Sequence, residues 1–98
     1  MSPFVDVSRL VSHFGVFMTF LEFCRKNGCE LLKDDVTFIK KCLSTFSKGR
    51  HKIILRVYVD VWVKAMADCK NISMKQNAGR RAANLYLLGE VDETSRNS

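Results

Sequence analysis

The chain has 98 residues, of which 47% are hydrophobic and 27% charged, with a single proline. That is the size and balance of one globular domain with one core, and it excludes a disordered or collagen-like chain. The net charge of +6 is concentrated: residues 40–81 hold eleven Lys/Arg against Asp60 and Asp68, whereas residues 1–39 and 82–98 are each slightly acidic.

The amino terminus lacks a basic start, an apolar run and a small-residue cleavage site, so no export is expected. No stretch approaches the ~20 apolar residues that a membrane span needs. A cytoplasmic protein is the expectation, and in that reducing setting Cys24, Cys29, Cys42 and Cys69 are expected to be thiols that pack as small hydrophobes.

In chain order, the first helix is expected from about Val7 to Lys26. Val7, Leu10, Val11, Phe14, Phe17, Met18, Leu21 and Cys24 recur at three- and four-residue steps, which stacks them on one face. Asn27 and Gly28 supply a left-handed stop. Val16, Phe20 and Phe23 form a second apolar stripe. Either this helix is central and wrapped by the others, or the second stripe is a surface for a partner or for a second copy in a homodimer.

The second helix is expected to start after Lys33, with Asp34 as cap and Asp35 at the positive end of the helix dipole. Val36, Ile39, Cys42, Leu43 and Phe46 form its inner face, Lys40, Lys41, Ser44 and Ser47 point outward, and Lys48 with Gly49 ends it.

The third segment, about His51 to Cys69, carries two signals. Val57, Val59, Val61 and Val63 alternate with polar or aromatic residues as in a strand. Against that, Leu55, Tyr58, Val59, Trp62, Val63 and Met66 form a helical stripe, and Lys52, Arg56, Asp60, Lys64 and Asp68 form a ladder at four-residue steps. The absence of turn residues and of any partner strand favours the helix.

A fourth helix is expected from Met74 to about Leu88, started by a capping box of Ser73 and Gln76 and stopped at Gly89. Met74, Ala78, Ala82 and Leu85 are assigned to its core face, and residues 90–98 to a disordered acidic and polar tail. The fold class is therefore all-α, a compact bundle of about four helices over residues 1–89; a strand at residues 55–63 would make it α+β instead.

Catalytic and metal-binding groups are sparse. His13 and His51 fall on different helices, no glycine-rich phosphate loop is present, and Cys24 and Cys29 lack the second pair that a zinc site needs. Neither an enzyme nor a metal or other cofactor is expected. Ala67, Asn71, Ile72 and Ser73 follow the residue order of a helix-turn-helix, but Lys70, Asn77 and Arg80 stand where that motif packs apolar side chains, so the motif is not assigned.

The strongest functional signal lies in the basic half. Asn77, Arg80, Arg81 and Asn84, with Lys75 near their start, are expected to share one exposed strip of the fourth helix, able to grip phosphates or base edges. Lys40, Lys41, Lys48, Arg50 and Lys52 surround the turn between the second and third helices, where they would anchor a phosphate backbone. Non-catalytic binding of DNA or RNA is the reading these residues favour. The rival is a small adaptor or inhibitor that docks on an acidic protein through the basic face or the Val16, Phe20 and Phe23 stripe.

Overall fold

A computed structural model describes residues 17–97. The beginning of the first helix, His13 and Val16 lie outside the described residues. The elements in order are α1 (helical over residues 17–26), α2 (Lys33–Leu43), α3 (Lys48–Asp68), a short 3₁₀ turn (Ile72–Met74) and α4 (Lys75–Asn97). The described residues contain no strand, so the all-α bundle holds and residues 55–63 lie inside α3.

α3 is helical despite its four alternating valines because its apolar stripe has a core to fill. Ile54, Leu55, Tyr58, Val59 and Trp62 are buried, while Lys52, Arg56, Asp60, Lys64 and Asp68 are all exposed, as the ladder requires. Leaving that stripe in water would forfeit roughly 1.5–3 kcal/mol for each large side chain. The weak helix propensity of valine, a few tenths of a kcal/mol per residue, is small beside that.

α3 and α4 form the central antiparallel pair. Their polar contacts descend in register: Arg50 with Glu90 and Thr94, Tyr58 with Asn84, Trp62 with Gln76, and Lys75 on the Met66 carbonyl. α1 and α2 cover this pair. Phe20 meets Tyr58 edge-on at 6.0 Å, Tyr58 meets Trp62 at 6.0 Å, and Ile39, Cys42, Leu43 and Phe46 complete the core from α2 and the turn after it.

α1 ends where the sequence indicates. Among the described residues Gly28 alone takes a positive φ, 78°, while the Cys29 amide bonds back to the Cys24 carbonyl at 2.8 Å. Phe20, expected on a partner surface, is only 4% exposed, and Phe23 is half-buried beneath the Arg56 guanidinium. The second stripe of this helix is therefore core in the described part. The reason is that Phe20 fills the space beside the Tyr58 ring of α3.

Other boundaries shift for identifiable reasons. α2 is not capped by Asp34. Instead Asp35, in its first turn, reaches back to accept the Leu32 amide at 2.9 Å. Lys48 and Gly49 do not end α2, which stops at Leu43; they open α3. Ser73 does not cap α4, because Asn71 Oδ1 accepts the Ser73 amide and hydroxyl, and the helix starts at Lys75.

α4 also continues through Gly89 to Asn97. Glycine inside a helix costs only about 1 kcal/mol. Arg50, pairing with Glu90 at 3.3 Å and donating to Thr94, together with half-buried Val91, holds the extra turns against the bundle.

The cysteines are free thiols. Cys24, Cys29 and Cys42 are buried and Cys69 is partly exposed. The Cys24 thiol is pushed up by its hydrogen bond to Cys29 and then by burial, the same bond lowers Cys29, and burial raises Cys42, so it is burial that shields all three. A colourless-to-yellow thiol exchange reagent is therefore expected to modify one cysteine, Cys69, rapidly in the native protein and the other three only on unfolding. Removal of the fast phase by Cys69→Ser checks the assignment, and a fast phase that survives it would refute the burial pattern.

Candidate nucleic-acid interface

The helical phase of α4 decides which basic residues are available. Gly79, Ala83 and Leu87 face inward, the last two at 0% exposure, whereas Met74 and Leu85, assigned to the core from sequence, are exposed by 50% and 60%. Gly79 sets this phase. A side-chain carbon built on it would stand 2.8 Å from the Trp62 indole Cγ and closer still to Cδ1 and Nε1. Only a residue without one lets the two backbones approach over the tryptophan.

With Gly79 inward, Gln76, Arg80 and Asn84 run beside it at four-residue steps and line a polar clamp around the buried Asp35 carboxylate. Arg80 Nε donates to Asp35 Oδ2 at 2.7 Å, and its two terminal nitrogens donate to the Glu30 carbonyl and to Asn77 Oδ1, each at 2.9 Å. The guanidinium lies over the Trp62 ring, 5.3 Å from its centroid. Gln76 donates to the Gly28 carbonyl at 2.6 Å and accepts from the Glu30 amide and the Trp62 indole.

Asn84 closes the network, accepting from the Tyr58 hydroxyl at 2.7 Å and reaching Asp35 Oδ1 at a long 3.5 Å. Burial first, then the Asp35 charge, raises the Tyr58 hydroxyl and keeps it a donor. Among the described residues no buried side-chain nitrogen or oxygen lacks a partner. A fully satisfied network of this kind fixes geometry. It locks the α1–α2 connection and the start of α2 onto the α3/α4 pair.

The strip expected on the surface of α4 is thereby divided. Arg80 and Asn84 turn inward into the clamp, Asn77 is exposed but bonded to Arg80, and Arg81 is exposed with no ionic partner among the described residues. Lys75 is half-buried, its ammonium on the Met66 carbonyl at 2.8 Å. Lys75, Arg80 and Asn84 therefore serve the fold. The sequence marks Asn77, Arg80, Arg81 and Asn84 alike, and what separates them is their position relative to Gly79.

The second basic cluster stays on the surface. Lys40, Lys41, Lys48, Arg50 and Lys52 are exposed around the turn between α2 and α3, and residues 40–52 contain no Asp or Glu. Arg50 is tethered to Glu90 and rests over the Phe46 ring, and Lys40 lies over the Phe17 ring at 5.2 Å. Lys41, Lys48 and Lys52 extend into solvent. The turn also opens α3, whose first turn carries no acidic residue and whose flanking Ser47 makes no side-chain cap, so the positive end of a 21-residue helix adds to the side-chain charge.

No described group of His, Cys, Asp or Glu is placed to hold a metal ion, and no described helix is long and apolar enough to cross a membrane. Comparison with protein-family models, with curated proteins and with solved structures finds no match. What the described residues define is an all-α bundle with a buried Asp35–Arg80 clamp and a basic turn.

Proposed function

We propose that the chain is a non-catalytic, cytoplasmic nucleic-acid-binding protein that contacts phosphates through the turn between α2 and α3. The observation that carries this reading is the acid-free run of exposed cations at Lys40, Lys41, Lys48, Arg50 and Lys52, set at the start of α3. Helix amides and lysine ammonium groups both favour a phosphate at such a place. Arg81 is an outlying contact. Arg80 and Asn84 are not contacts in this reading, because their polar groups are already satisfied.

Docking on an acidic protein through the same cations is the competing reading; its other form, through the Val16, Phe20 and Phe23 stripe, is less favoured because Phe20 is buried and Phe23 half-buried. Fluorescence anisotropy with labelled duplex DNA and single-stranded RNA across a salt series tests the proposal. Lys40→Ala/Lys41→Ala/Lys48→Ala/Lys52→Ala is expected to abolish most binding. It should also flatten the salt dependence by about 0.7–0.9 in logarithmic slope for each phosphate that is no longer neutralised. Absence of binding at low salt, or a quadruple variant that binds like the parent, would overturn it.

A further inference from the structure

The outer face of α4 carries a seam of which the nucleic-acid reading uses only Arg81. Met74, at its threshold, and then Ala78, Arg81, Leu85, Leu88, Asp92 and Ser95 follow one another in strictly alternating four- and three-residue steps along the helix. Such spacing keeps side chains in one line along a helix that packs against another helix. It is opposite the line that faces α3. Leu85 and Leu88 are 60% and 49% exposed and Met74 is 50% exposed, a concentration of apolar surface that a free helix does not need.

We infer that α4 is a dimerisation helix, pairing with α4 of a second copy of this chain in antiparallel orientation. The assignment rests on self-complementarity. A two-fold axis level with the Tyr86–Leu87 peptide brings Leu85 against the second copy's Leu88 at the centre. On either side it brings Arg81 against the second copy's Asp92, and Ala78 against its Ser95. Each seam position between Ala78 and Ser95 meets another seam position, and each contact occurs twice, as an isologous interface requires.

The parallel alternative, in register, would set Arg81 on Arg81 and Asp92 on Asp92, which is repulsive. Arg81 has no ionic partner among the described residues, and Asp92 makes only an exposed pair with Arg96 at 3.3 Å, a type of contact worth little. Both charges are thus available. Ala78, with Ala82 and Gly89 beside the seam, lets the two helices come close. A single helix pair buries an area at the low end of specific interfaces, so the dimer is weak and depends on protein concentration.

Sedimentation equilibrium of the full chain over a micromolar-to-millimolar range is expected to show a reversible monomer–dimer transition. Arg81→Asp and Asp92→Arg each place like charges opposite one another, and each alone is expected to weaken dimerisation at least about tenfold. Mixed together they are expected to associate again, because the heterodimer sets opposite charges against each other at both ends of the seam, with reversed sense at one end. Both substituted residues are exposed, so circular dichroism should be unchanged. A parent protein that stays monomeric throughout, or a mixture that associates no better than either variant alone, would overturn the assignment. These outcomes are independent of whether the turn between α2 and α3 binds nucleic acid.

Discussion

Arg80→Ala is expected to cost about 3–5 kcal/mol of folding free energy, the range for removing one partner of a buried ion pair. Asp35 is 5% exposed and its carboxylate would keep only the Leu32 amide and the long Asn84 contact. The Glu30 carbonyl would lose a donor and the Trp62 ring its overlying guanidinium at the same time. Domains of this size are stable by ~5–15 kcal/mol, so the loss removes a large share of that margin.

Replacing both partners separates the uncompensated charge from the pair itself. Asp35→Leu/Arg80→Leu leaves no buried charge, and apolar replacement of such pairs is often neutral or favourable. The double variant is expected to be more stable than Arg80→Ala, though short of the parent because the Leu32 amide loses its acceptor. Urea unfolding followed by circular dichroism gives all three values. A destabilisation below about 1 kcal/mol for Arg80→Ala would mean that the clamp is solvated and the pair behaves as a surface contact. The result bears on function, since weaker nucleic-acid binding by Arg80→Ala has to be read against its loss of folding stability before it says anything about a contact.

The second large effect is expected at Gly79. In an exposed helix interior, glycine to alanine gains ~1 kcal/mol from propensity. Here the added methyl would overlap the Trp62 indole, which is 0% exposed and bonded through its nitrogen to Gln76, so the ring has nowhere to retreat. Overpacking of this kind costs about 1–3 kcal/mol and more when backbones must separate. Net destabilisation of about 1–2 kcal/mol is expected, with Gly79→Val worse.

Gly89 supplies the control within the same helix. It is exposed and has nothing within 4 Å of an added side-chain carbon, so Gly89→Ala should stabilise by roughly 0.5–1 kcal/mol. Opposite signs at these two glycines of one helix, read by thermal unfolding of dilute protein, would establish that α4 approaches α3 at Gly79. Stabilisation at both would refute that close approach.

Much of the fold is legible along the chain. The inner face of α2, the glycine stop after α1 and the helical nature of α3 follow from spacing, because a helix that must bury a stripe writes its period locally. The candidate interface is legible in part. The cations around residues 40–52 are exposed whichever way α2 and α3 pack, since they cluster where the chain turns. The strip on α4 is not, because apolar and polar residues occur on both sides of that helix, so residue type does not tell the inner side from the outer.

The one local hint to the phase of α4 is Gly79, a helix-interior glycine next to an arginine. It becomes informative only with Trp62 known to lie across from it. Residue types and spacing by themselves determine that this chain folds as helices, roughly where those helices lie, and that its positive charge falls between residues 40 and 81. Tertiary structure decides which of those charges remain free. Asp35 selects Arg80, Glu90 selects Arg50, and the end of α3 selects Lys75, over separations of 45, 40 and 9 residues. Local periodicity records a need for burial, but a buried charge also needs a particular partner, and that partner is named only when the helices meet.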